Sequence, residues 1–88
     1  MGEVYDVAIT VASQKGICHA GHKVGDRWIL GLNTPEGICA SAFIAIYPYA
    51  KALRHGGTFP WAEADGSIPV ACPDADNPLV FRLRPVGK

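Results

Sequence analysis

Three cysteines and three histidines are the residues of this 88-residue chain whose types point most directly to chemistry. Cys18 lies in a glycine-rich segment with His19 and His22, and Cys39 and Cys72 follow at longer spacings. Thiolate and imidazole groups are ligands for zinc and iron, and a thiolate is also a nucleophile. The residue types therefore predict a metal site or thiol chemistry.

The spacing of the cysteines separates these possibilities only in part. No Cys-x-x-Cys pair occurs, which excludes zinc-ribbon and thioredoxin-type sites. If the segments that carry them meet over one edge of a sheet, Cys18, Cys39, Cys72 and His22 would form a tetrahedral metal site. Our first prediction is therefore a small metal-binding protein that uses these four residues and holds zinc or iron.

Two other functions stay open. In an enzyme, Cys18 would be the nucleophile or redox centre, with His22 or His19 assisting, in a pocket for a small molecule walled by Trp61 and Tyr47. Alternatively, the chain is a non-catalytic ligand-binding or assembly module, and as a homo-oligomer it would enlarge its small core.

Each candidate also has a structural interpretation. Cys72 shares its parity with the apolar residues of the predicted third strand, which suits a buried thiol. Cys39 flanks the apolar stripe of the predicted helix and fits either role. The ring of His22 could hold its loop by bonding a backbone carbonyl. Cys18 is different, because no hydrophobic periodicity requires an apolar residue at its position.

The elements that must position these residues follow from periodicity and turn chemistry. Alternating segments predict half-buried strands, and Thr34-Pro35-Glu36 is typical of a helix start. Pro48 predicts a kink or two abutting helices, and Asp26 is expected to bond loop amides. The predicted elements are strands over 4–12, 26–31, 68–72 and 79–84, and a helix that ends at Gly56-Gly57. We therefore predict an α+β fold of order β-β-α-β-β, in which an antiparallel sheet of about four strands is covered by one kinked helix.

Composition limits the class of protein. The length indicates a single domain over 1–88. The formal net charge is zero, which argues against a nucleic-acid partner and against a polybasic membrane-binding protein. The N-terminal segment lacks the features of a secretory signal, so we expect a cytoplasmic protein with reduced thiols.

Several motifs together resemble a family of small prokaryotic proteins of about this length. They are KGICHAGHKVGD at 15–26, TPEGIC at 34–39, YPY at 47–49, LRHGGTFPW at 53–61 and CPDADNP at 72–78. The resemblance covers nearly the whole chain and implies a stand-alone domain, but it carries no reaction with it. It further implies that proline often follows each of the first two cysteines. Because His19 and Ala40 stand at those positions here, His19 becomes an additional ligand candidate.

Overall fold

A computed structural model describes residues 4–87 of the chain. The elements, in chain order, are β1 (Asp6–Gln14), β2 (Arg27–Leu30), α1 (Ala40–Arg54), β3 (Ile68–Ala71) and β4 (Leu79–Val86). The four strands form one sheet of order β2-β1-β4-β3, and every neighbouring pair is antiparallel. The predicted α+β fold of order β-β-α-β-β is confirmed.

The core lies between the sheet and α1. Alternate residues of the strands point to one face, as the period of a strand requires, and they meet the inner side of the helix. The largest fully buried side chain is that of Phe81, in the central strand β4. The core cluster consists of Val7, Ile9, Val11, Leu30, Ala42, Ile46, Ala50, Leu53, Ile68, Val70, Leu79, Phe81 and Leu83.

The start of the helix differs from the prediction. α1 begins at Ala40 with Cys39 as its N-cap, and not at Thr34. The reason is Gly37, whose φ of +87° lies in the left-handed region and cannot continue a right-handed helix. The segment from Thr34 therefore forms a turn, and Cys39 lies after this turn at the N-terminus of the helix.

The rest of the helix follows the prediction more closely. Pro48 lies inside α1, which continues as one element to Arg54, so the alternative of two abutting helices is wrong. Helical spacing of apolar residues at 38, 42, 45, 46, 49 and 53 predicts an inward-facing stripe, but Tyr49 is exposed and the neighbouring Ala50 is buried in its place. Among residues 4–87, no helix has the length and hydrophobicity that would let it cross a membrane.

The pairing of the two central strands determines where the loops meet. Gln14, the last residue of β1, pairs with Leu79, the first residue of β4. The loop that follows β1 therefore lies beside the loop that connects β3 to β4. These two loops carry Cys18 and Cys72, respectively, and α1 begins close to them.

Candidate functional site: a pocket lined by three thiols

A pocket of about 390 Å³ lies between the loop after β1, the first turn of α1 and the β3–β4 loop. All three cysteines line it and all three are free thiols. The full lining is Cys18, His19, Ala20, His22, Cys39, Ser41, Ala42, Cys72, Pro73, Asp74, Ala75, Asn77 and Leu79. The structure thus brings the predicted Cys18, His22, Cys39 and Cys72 to one pocket, which we call the thiol pocket.

Cys18 opens a tight turn in the loop after β1. The N–H of Gly21 donates to the Cys18 carbonyl at 2.9 Å, which closes a four-residue turn that contains His19. Cys18 is half-buried and His19 is exposed. Just before the turn, the N–H of Lys15 donates to the Pro78 carbonyl at 3.0 Å, so the loop is joined to the β3–β4 loop.

His22 has a structural role that the sequence suggested only in part. Its ring is 7% exposed and packs edge-on against Trp28 with ring centroids 4.8 Å apart. Its Nε2 accepts the backbone N–H of Cys39 at 2.9 Å. The neutral ring therefore carries its hydrogen on Nδ1. The ring does bond backbone, but to an amide N–H and not to the expected carbonyl.

This bond limits what His22 can do chemically. While Nε2 accepts the Cys39 N–H, the lone pair on that nitrogen is not available to a metal ion or to a thiol proton. The other ring nitrogen carries a hydrogen and cannot ligate in this state. In this arrangement His22 is a link between the loop and the helix.

Cys39 occupies the N-cap of α1. Its carbonyl accepts the N–H of Phe43 at 2.9 Å, which begins the helix, and its side chain makes no capping hydrogen bond. The first N–H groups of a helix lack intrahelical acceptors, and this terminus favours negative charge. The Cys39 thiol is thus uncommitted and lies at the electropositive end of α1.

The thiol of Cys72 takes part in hydrogen bonds within the protein. Its Sγ accepts the N–H of Leu79 at 3.3 Å and makes a long donor contact of 4.0 Å to the carbonyl of Asn77. The backbone N–H of Cys72 also donates to the Leu79 carbonyl at 2.9 Å. These bonds close the β3–β4 loop, so the thiol of Cys72 has a structural task in addition to its place in the pocket.

The predicted metal site is not preformed. Within residues 4–87, no group of three or more histidine, cysteine, aspartate or glutamate side chains is placed so that it could hold a metal ion. The thiols share the pocket, but zinc needs its ligands at bond lengths of about 2.0–2.3 Å. Binding of zinc or iron by Cys18, His22, Cys39 and Cys72 stays a prediction and would require the loops to move.

The predicted pocket walls are elsewhere. Trp61 lies in a separate surface depression that it shares with Tyr49, and Tyr47 stacks on Phe43 with ring centroids 5.5 Å apart. Neither Trp61 nor Tyr47 lines the thiol pocket. The wall is formed instead by residues of the CPDADNP motif at 72–78, which the sequence marks as dense turn chemistry without indicating a pocket.

Asp26 organises the far end of the Cys18 loop, as predicted. One carboxylate oxygen accepts the N–H of Lys23 at 3.0 Å and the other lies 3.4 Å from the Lys23 ammonium. The backbone hydrogen bond from Lys23 is the main cause that holds the pKa of Asp26 below its ordinary value, and the ammonium adds to it. The carboxylate form therefore stabilises this turn.

Comparison with protein-family models, curated proteins and solved structures finds no match to this chain. The resemblance described above therefore stays a prediction, and the functional argument depends on the geometry of the thiol pocket.

Replacing His22 by Phe tests the link between loop and helix. Phenylalanine keeps a ring against Trp28 but leaves the Cys39 N–H without its acceptor, so we expect a loss of about 1–3 kcal/mol in the free energy of unfolding. Urea unfolding followed by tryptophan fluorescence measures it. His19→Ala, at an exposed position, is the matched control and should change stability by less than about 0.5 kcal/mol. Equal effects of the two variants would contradict the link.

Replacing Asp26 by Asn tests the charged form of its carboxylate. Because the pKa is lowered in the folded state, the carboxylate stabilises the fold above its unfolded pKa, and this stabilisation is lost as pH falls through the folded pKa. The variant should be less stable than the native chain at about pH 7, and the difference should shrink towards about pH 2. Urea unfolding at both pH values measures this, and a difference independent of pH would refute it.

Proposed function

We propose that this protein is a thiol-dependent enzyme that takes a small electrophilic molecule into the thiol pocket and bonds it to Cys18. The observation that carries the proposal is that three free thiols from three separate segments line one pocket of about 390 Å³. Pockets that bind small organic molecules have volumes of about 300–1,000 Å³. The size of this pocket therefore favours an organic ligand over a bare metal ion.

Cys18 is the best candidate for the reacting residue. Among residues 4–87, the thiol hydrogen bonds belong to Cys72, which leaves the sulfur atoms of Cys18 and Cys39 uncommitted. Cys18 lies in a turn between exposed residues, whereas Cys39 is fixed at a helix terminus that His22 also holds. Segments with few buried contacts are the ones that open and adapt most readily.

The chemistry that suits this arrangement is addition of a thiol to a polarised carbon. When the thiol adds to a carbonyl compound, the bond from the Cys18 sulfur to the carbonyl carbon forms as the carbonyl π bond breaks. The thiol proton ends on the carbonyl oxygen. Because the Nε2 of His22 is occupied by the Cys39 N–H, His19, the other histidine that lines the thiol pocket, is left to carry this proton. Thiol attack of this kind is a general form of nucleophilic catalysis.

Metal binding is the second candidate. It is favoured by the same convergence of Cys18, Cys39 and Cys72, whose three thiolates would suit zinc or iron with one open position if the Cys18 loop closed over the pocket. The absence of a preformed ligand group among residues 4–87 ranks it below the thiol reaction. A cytoplasmic location, the lack of a nucleic-acid partner and a homo-oligomeric state stay predictions.

Alkylation of the folded protein tests the assignment of Cys18. With limiting iodoacetamide, we expect Cys18 to be modified first, at least about tenfold faster than Cys72, whose sulfur is hydrogen-bonded. Intact-mass kinetics with peptide mapping give the rate at each cysteine. Cys18→Ser should abolish the fast phase and Cys72→Ser should leave it unchanged, while in denaturant the three cysteines should react alike.

Two outcomes would overturn the proposal. One is a fast phase that survives in Cys18→Ser. The other is native mass spectrometry that finds one zinc or iron ion per chain in protein purified without a histidine tag, with metal lost in each single cysteine variant. The second outcome would establish the metal-binding candidate in place of the enzyme.

A further inference from the structure

One side chain joins the two loops that carry Cys18 and Cys72. The Oδ1 of Asn77, in the β3–β4 loop, accepts the backbone N–H of Ile17 at 3.0 Å. Ile17 directly precedes Cys18, and the partners are sixty positions apart in the chain. Asn77 also lines the thiol pocket. Its amide group therefore lies where it can set the position of the Cys18 turn.

Gly16 makes this contact possible. The carboxamide of Asn77 lies so close to Gly16 that a Cβ at that position would collide with Oδ1. Gly16 also has a φ of +83°, a backbone conformation that residues other than glycine rarely adopt. The Asn77 side chain can therefore reach Ile17 only because residue 16 has no side chain.

The backbone of Asn77 contacts the thiol of Cys72. The carbonyl of Asn77 receives the long contact from the Cys72 Sγ at 4.0 Å, and its N–H donates to the Asp74 Oδ1 at 3.1 Å. Two positions later, the N–H of Leu79 donates to the same sulfur at 3.3 Å. The turn that places the Asn77 side chain on the Cys18 loop therefore also holds the Cys72 thiol.

We infer that Asn77 is a positioning residue whose side chain holds the Cys18 loop against the β3–β4 loop and thereby controls the reactivity of Cys18. This inference deepens the proposed function and rests on it for its biological meaning, but the coupling itself is measurable without any ligand. Removing the side chain frees the Ile17 N–H and lets the loop open more often, which exposes Cys18 to reagents. An aspartate at this position would keep the accepting oxygen.

The experiment compares alkylation rates at Cys18 and Cys72 across a pH series in three variants. Asn77→Ala should raise the rate at Cys18 about fivefold, the effect of losing one hydrogen bond. It should leave Cys72 unchanged, because the groups that contact its sulfur belong to the backbone. Asn77→Asp should prevent the rise at Cys18, because Oδ1 still accepts. Gly16→Ala, which displaces the side chain by collision, should reproduce the effect of Asn77→Ala at Cys18.

Asp76→Ala is the matched control, because it changes an exposed side chain of the same turn and leaves the contact from Asn77 to Ile17 in place. It should leave the Cys18 rate unchanged. The inference fails if Asn77→Ala leaves the Cys18 rate unchanged, if Asn77→Asp behaves like Asn77→Ala, or if Asp76→Ala affects Cys18 as strongly. If the Cys18 rate is unchanged in Asn77→Ala and Cys18 is still the fastest-reacting thiol, the positioning role of Asn77 is refuted. The proposed function is then left intact.

Discussion

The hydrogen bond from the Cys39 N–H to the Nε2 of His22 is the interaction on which the thiol pocket depends. It joins the loop after β1 to the first turn of α1, two segments that the sheet alone would leave separate. The ring of His22 is buried against Trp28, so the bond is shielded from water. Loss of the acceptor would leave a partly buried N–H unpaired at the helix terminus, which is costly.

The pocket has a second attachment on its other side. Pairing of β1 with β4 brings the Cys18 loop next to the β3–β4 loop, and Asn77 then connects the two by its contact with Ile17. The thiols of Cys18 and Cys39 are left without hydrogen-bond partners among residues 4–87, while Cys72 has them. The fold thus produces one structural thiol and two uncommitted ones, and this difference is the basis of the proposed chemistry.

The sequence predicts the scaffold well because the strands have clear periodicity. Alternation of apolar residues in β1 and β4 locates both strands, and the helix stripe identifies its inner face. The start of α1 could not be predicted, because Thr34 and Pro35 are typical of a helix start and only the backbone of Gly37 shows that the chain turns there instead. A capping pattern shows only which residues prefer a helix start locally. Whether Cys39 becomes the N-cap depends on how the whole segment packs.

The candidate site was predictable in its residue types and not in their roles. The unusual placement of Cys18 singles out one of the segments that line the thiol pocket, whereas the motif at 72–78 indicates only a turn. Hydrogen-bond partners distant in the chain, such as Cys39 for His22 or Ile17 for Asn77, leave no periodic signal in a single sequence. For the same reason the sequence alone does not show that Trp61 lies outside the thiol pocket, beside Tyr49 in a different depression.

The most direct test of this account is whether the three thiols share one pocket in solution. A short bis-methanethiosulfonate reagent added at one equivalent to dilute protein would be followed by intact mass and peptide mapping. The account predicts that one linker consumes two of the three thiols within a single chain, and that Cys18 is one of the two. Linkers attached at one end only, or bridges formed only between separate chains, would contradict it.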